Sequence, residues 1–191
     1  QFLTILPRKM IRTNDELIYN LSRTYYYRGK LEKSRSEAQK LIQSGRQKND
    51  SLALARAENI LGRIAFNNAE YDSARKHQYR SLEYARAAEN IQAEANALRQ
   101  IGVLTWYSMN FKTAQERYFF PALEKYRHID DKIGEATTLA NIGLVYHDQH
   151  KFRKSVDYNL RAFDIRNKVG DNVGLADSYY FLSNILVVSG W

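Results

Sequence analysis

His147, Asp148 and His150 stand close together near the end of a predicted helix. Two imidazoles and a carboxylate at that spacing can hold a divalent cation, but a metal site needs three or four ligands fixed by rigid elements. These three share a single hairpin end, and they read as solvated surface. His77 and His128 have no obvious partner in the sequence. Asp130-Asp131 precedes a helix and suits N-terminal capping, where a short carboxylate accepts from free amides. Gly170-Asp171-Asn172-Val173-Gly174 lacks the lysine and the preceding strand of a phosphate-binding loop. No acid, base and nucleophile converge, so the protein reads as a binding protein and not an enzyme, with no metal and no cofactor.

Charge narrows the partners. The 191 residues carry a net charge of +8. Residues 1–50 hold 11 Lys/Arg against 5 Asp/Glu, and residues 51–191 hold 18 against 16. A basic end steers acidic partners, although a solvated helix face gives the same pattern. Nucleic acid is disfavoured: aromatics for base stacking do not recur at regular intervals along that basic face. Cysteine is absent, which excludes disulfides and suits cytosol and periplasm alike. No apolar run is long enough to span a bilayer. The sequence opens on Gln1, as a trimmed product would.

Ala, Leu, Arg, Glu, Gln and Lys dominate, and strand-like alternation is missing, so the elements that carry these residues are helices. Residues 1–13 read as a leader or cap interrupted by Pro7. Thr13-Asn14-Asp15-Glu16 starts a helix to about Arg28, Gly29-Lys30 turns, and a second helix ends at Ser44-Gly45. The same hairpin returns over about 51–90, 91–131 and 132–172. A last helix runs from Val173 to about Ser189.

One pattern sets the register. Small residues fall at Ser22, Gly62, Gly102, Gly143 and Ser183, at intervals of 40, 40, 41 and 40. An aliphatic residue precedes each. A bulky residue opens each second helix (Leu31, Tyr71, Phe111, Phe152), and three residues later comes Ser34, Ala74, Ala114 or Ser155. Antiparallel helices approach closely only where one carries almost no side chain, so this column is where each hairpin closes. The long interval places one extra residue between Ala114 and Ala122, beside Pro121. A proline there removes an amide donor, which predicts a kink or wide turn near Tyr118–Pro121.

These residues resemble the tetratricopeptide repeat. Leu61-Gly62, Ala69-x-Tyr71, Ala74 and Ser81-Leu82 follow its pattern, as do Ile142-Gly143, Tyr146, Phe152 and Ala162-Phe163. The resemblance covers residues 14–191 and implies an all-α, right-handed α-solenoid of about four and a half helix–turn–helix repeats. The period of 40 exceeds the family's usual 34, and longer variants look like those of large bacterial regulatory proteins. Lys168 to Ala176 is similar to segments of bacterial sensor proteins.

In that family the first helix of each unit lines a concave groove that holds extended peptides. Carried over by register, the groove residues are Tyr19, Arg23, Tyr26 and Tyr27, then Arg56, Asn59, Arg63, Phe66 and Asn67. They continue with Asn96, Arg99, Trp106 and Tyr107, then Asn141, His147 and Asp148, then Tyr180 and Asn184. Asn can bond a peptide backbone, Arg can hold a carboxylate in two-point contact, and Tyr and Trp offer apolar area with a polar tip. Arg63 and Arg99 stand out as anchors for an acidic side chain or a C-terminal carboxylate. Phe66 and Trp106 suit gap-filling between helices equally well.

The resemblance thus implies a protein- or peptide-binding scaffold or sensor domain of a larger, bacterial regulatory protein. The rival reading starts from the last helix, which is apolar nearly all round through Leu175, Tyr179, Phe181, Leu182, Ile185, Leu186, Val187 and Val188. That helix either meets a further repeat or forms a homodimer contact, making the protein a structural module that assembles through its end face.

Overall fold

The structure is a computed structural model that describes residues 14–188, with side chains through Ser183. The predicted leader and Gly190-Trp191 lie outside the described residues. No strand occurs among the described residues. No helix there is long and apolar enough to cross a membrane. The helices form two compact units, one ending at Asn90 and one beginning at Ile91.

In the first unit, α1 (Asn14–Tyr27) pairs with α2 (Leu31–Lys48), and α3 (Ser51–Asn67) with α4 (Tyr71–Ala87). Helix α3 also packs on α1 and α2. The column of small residues closes both hairpins, by different chemistry. Ser22 donates to the Ser34 carbonyl at 2.8 Å, and Ser34 donates back to the Ser22 carbonyl at 2.8 Å. Gly62 instead faces the Gln78 side-chain amide, which a Cβ at Gly62 would strike. Gln78 is buried and bound to Asn59 twice: it donates to the Asn59 carbonyl and accepts from the Asn59 amide, both at 3.0 Å. Ala38, Ile60, Leu61 and Ile64 form the core beside this contact, with Leu41, Ala53 and Ala57 forming a second cluster.

Helix α2 does not stop at Ser44-Gly45. It runs on to Lys48, and Asn49 takes the left-handed conformation that ends it. Gly45 is small for packing: a Cβ there would lie 3.0 Å from Leu54 Cγ. The Ser44 hydroxyl donates to Asp15 at 2.6 Å, and Lys48 reaches the other Asp15 oxygen at 2.8 Å. Asp15 therefore joins α1 to the end of α2. Its carboxyl is held below the usual range by the Lys48 hydrogen bond first and the Ser44 hydroxyl second, against the opposing effect of burial.

In the second unit, α5 (Ile91–Tyr107) pairs with a broken helix, and α8 (Lys132–Asp148) pairs with α9 (Phe152–Val169). Helix α10 (Asn172–Val188) packs on α9. The broken helix begins as α6 (Phe111–Thr113), widens into a π-helical turn at Ala114–Phe119, and resumes as α7 (Phe120–His128). The Phe120 amide reaches five residues back, to the Gln115 carbonyl. The predicted wide turn is present, and it ends just before Pro121 instead of centring on it. Pro121 has no amide to give to the turn behind it, and the wider turn makes room for its ring. The extra residue brings Phe119 fully into the core opposite Gly102, where a Cβ would lie 2.7 Å from Phe119 Cε1. Gly143 faces the Asn159 amide in the same way, and Ser155 donates to the Gly143 carbonyl at 2.8 Å.

Within the second unit, a further set of close contacts joins a second helix to the next first helix. The Tyr126 ring lies against Gly134, and the Arg166 side chain against Gly174. Arg166 is buried, donating to the Gly174 carbonyl at 2.8 Å and to Ser178 Oγ at 2.7 Å. Burial pulls its guanidinium below its ordinary value. Three first helices carry carboxylate caps, of which the sequence marks Asp131: Asp50, Asp131 and Asp171 accept from the amides of Ala53, Gly134 and Gly174 at 3.0, 2.9 and 3.0 Å.

Candidate functional site

Of the residues read as a groove, those of the first unit come together most closely. Helices α1 and α3 lie side by side, and arginines of both helices stack on the α1 tyrosines. Arg63 stands 4.1 Å above the Tyr26 ring and 5.1 Å from the Tyr27 ring, and it donates to the Tyr27 hydroxyl at 3.5 Å. The Tyr19 ring has two cations over it, Arg56 at 4.8 Å and Arg23 at 5.6 Å. Tyr26 and Tyr27 meet edge to face at 5.6 Å. Such contacts hold a guanidinium over a ring while leaving N–H groups able to bond elsewhere. Burial lowers the Arg63 guanidinium, and Tyr27 and Tyr26 more than offset it, so it stays above its ordinary value and fully charged. Among the described residues, none of the three arginines meets a carboxylate within ion-pair distance.

The asparagines do not share this freedom. Asn59 turns toward α4 and holds Gln78. Asn67 accepts from the Tyr26 hydroxyl at 3.3 Å, and Asn96 accepts from the Tyr126 hydroxyl at 2.8 Å. Phe66 packs edge-on against Tyr71 at 5.7 Å. The polar side chains expected to meet a peptide backbone therefore bind the repeat framework.

In the second unit, Trp106 packs against the core and donates its indole N–H to Asp148 at 2.8 Å. It also meets Tyr107 edge-on at 5.3 Å. His147 contacts Asp148 at 3.2 Å and the rings of Phe152 and Phe181 at 5.6 and 5.8 Å. His150 is the exposed turn residue, with φ 57°. No group of three metal-ligating side chains is gathered among the described residues. Arg99 Nε and Asn141 Nδ2 are buried without a hydrogen-bond partner among the described residues. Asn141 also stands two residues before Gly143, whereas Asn59 and Arg99 stand three before their glycines. That step turns it about 100° around the helix. Arg63 and Arg99 fall in different compact units. Tyr180 is 73% exposed on α10, and the Asn184 side chain lies outside the described residues.

His77, which looked unpartnered in sequence, meets the buried Glu58 carboxylate at 2.6 Å across the α3–α4 hairpin. The two are 19 residues apart, and only the hairpin register could have paired them.

Residues 136–169 match the tetratricopeptide repeat family model. No curated protein matches the sequence. Several solved structures share its fold. The aspartyl phosphate phosphatase F of Bacillus subtilis superposes with TM-score 0.76 at 18% identity, over 90% of this chain and 45% of that one. BtubC of P. vanneervenii gives TM-score 0.71 at 18% identity, over 92% of this chain and 72% of that one. A Rap protein complexed with competence and sporulation factor gives 0.72 at 16% identity, over 94% and 56%. The protein thus spans less than half the length of the Bacillus phosphatase it resembles. Residues 136–169 thus carry a tetratricopeptide repeat, and the helical hairpins before it share that architecture.

Proposed function

We propose that the protein is a binding module that takes an extended protein or peptide segment on the face formed by α1 and α3. The observation that carries this reading is the α1–α3 surface, where Arg23, Arg56 and Arg63 stack on tyrosines and have no carboxylate among the described residues. Guanidiniums held over rings can make two-point contact with an anion, and the rings add apolar area. The similarity in fold to a Rap protein complexed with competence and sporulation factor supports the same reading. So does the similarity to the longer aspartyl phosphate phosphatase F of Bacillus subtilis, which favours a place as the sensing or adaptor part of a larger, bacterial regulatory protein.

Capture of partners at two salt concentrations tests it. A specific partner is retained at high salt, whereas adhesion by charge alone is washed away. Arg56→Ala together with Arg63→Ala should weaken an acidic or C-terminal peptide by about 2–5 kcal/mol. Unchanged affinity in that double variant overturns the groove assignment.

A second reading rests on α10. Val173, Tyr179 and Tyr180 are 80%, 62% and 73% exposed there, a large apolar area for one helix. On that reading the module assembles through its last helix. Sedimentation at increasing concentration would show a dimer that Tyr180→Asp abolishes, and a monomer throughout would exclude it.

A further inference from the structure

Resting on the peptide-binding reading above, we infer that the α1–α3 surface recognises a pair of internal acidic side chains, three residues apart in an extended segment, and not a free peptide terminus. Two observations point this way. The first is the spacing of the cations. Arg56 and Arg63 are seven residues apart on α3, which separates their stems by about 10.5 Å along the helix. An extended segment in the polyproline II conformation advances about 3.1 Å per residue with three residues per turn, so acids at positions i and i+3 share one face, span about 9.3 Å and can meet both. Arg23 flanks the first of these positions. It shares the Tyr19 ring with Arg56, so the two guanidinium carbons lie no more than about 10.4 Å apart, the two ring distances together. Cations gathered on one face, with no carboxylate among the described residues, are relieved by an incoming pair of negative charges.

The second observation is what the surface does not offer. Holding the backbone beside a peptide terminus calls for free amide side chains next to the cations. Asn59 is committed to Gln78, and the Asn67 oxygen to Tyr26. What remains for a ligand is arginine edges and tyrosine rings, which suit carboxylate side chains and the apolar stems between them. The segment's own backbone carries no requirement for a nearby end.

Selection from a displayed library of random ten-residue peptides, with both ends blocked, tests the inference. The expected result is enrichment of acids spaced i and i+3. The enriched peptides should lose about tenfold or more in affinity on Arg56→Ala or Arg63→Ala, the scale of a severed charged contact. Moving the two acids to adjacent positions, at the same net charge, should cost a similar factor. Enrichment of peptides without the spaced pair overturns this inference and leaves the peptide-binding reading standing. Capture that survives both arginine substitutions, or enrichment of nothing, overturns both. Thermal melts of each variant show that the fold is intact, since neither arginine belongs to a buried core cluster.

Discussion

The Trp106 indole N–H donates to Asp148 Oδ2 at 2.8 Å, joining the end of one first helix to the end of the next. The Tyr26 hydroxyl donates to the Asn67 oxygen at 3.3 Å in the corresponding place of the first unit. Trp106 and Tyr26 both stand four residues after their small residue, and Asp148 and Asn67 both stand five after theirs. One register position thus supplies a ring donor and its neighbour an oxygen, so stacking is fixed by a repeated polar link as well as by packing. Trp106→Phe keeps most of the ring and removes the donor, and it should cost about 1 kcal/mol in urea unfolding. A double-mutant cycle with Asp148→Ala should recover a coupling of about 0.5 kcal/mol or more.

The turns inside the hairpins offer a stabilising change. Ala69 and Met109 sit at φ 60° and 59°, in the left-handed region, and both are exposed. An L side chain there costs about 1–2 kcal/mol, part of which glycine returns through its greater freedom in the unfolded state. Ala69→Gly and Met109→Gly should each stabilise by about 0.5–1 kcal/mol, read as a higher urea midpoint.

Gly102 is held to its size by Phe119. Gly102→Ala should destabilise by about 1–3 kcal/mol, because the ring opposite is fully buried and cannot withdraw. Phe119→Leu in the same molecule should recover part of that loss, so the two changes will not add. Additive losses would show that the hairpin closes elsewhere.

Asp15 sets an acid limit on the first unit. Its folded carboxyl lies below the usual range because Lys48 and Ser44 bond the charged form. That stabilisation is complete above the unfolded value of about 3.9 and is lost as pH falls through the lowered folded value. Lys48 is more than half exposed, so solvent screens it and the contribution is about 1 kcal/mol. Asp15→Asn should therefore be less stable than the parent near neutral pH, with the gap narrowing below about pH 4. A constant gap across denaturation curves at both pH values would exclude this role.

The hairpins were legible because Gly62, Gly102 and Gly143 answer a local demand, close approach, that leaves a periodic mark. The widened turn was legible for the same reason, since 41 breaks the period beside Pro121. Gly45 was misread as a stop because smallness serves a helix end and a helix contact equally, and only the partner, Leu54, separates the two. Glu58 with His77 and Asn59 with Gln78 are pairings across a hairpin, invisible until the register places the two helices face to face. The asparagines look identical in sequence whether they meet a ligand or a neighbouring helix. The arginine–tyrosine stacks are set by the packing of α3 on α1, a relation between successive repeats that no single repeat records.

The π-helical turn at Ala114–Phe119 takes in an extra residue within a helix, where loops usually take such changes. Its effect ends within the same element, since the Tyr126 ring still seats on Gly134 and Asp131 still caps α8. A repeat with this device can gain a residue by insertion without displacing the repeat that follows. Repeat length and repeat stacking are thereby uncoupled, and lineages of such arrays are free to vary the one while the other is kept.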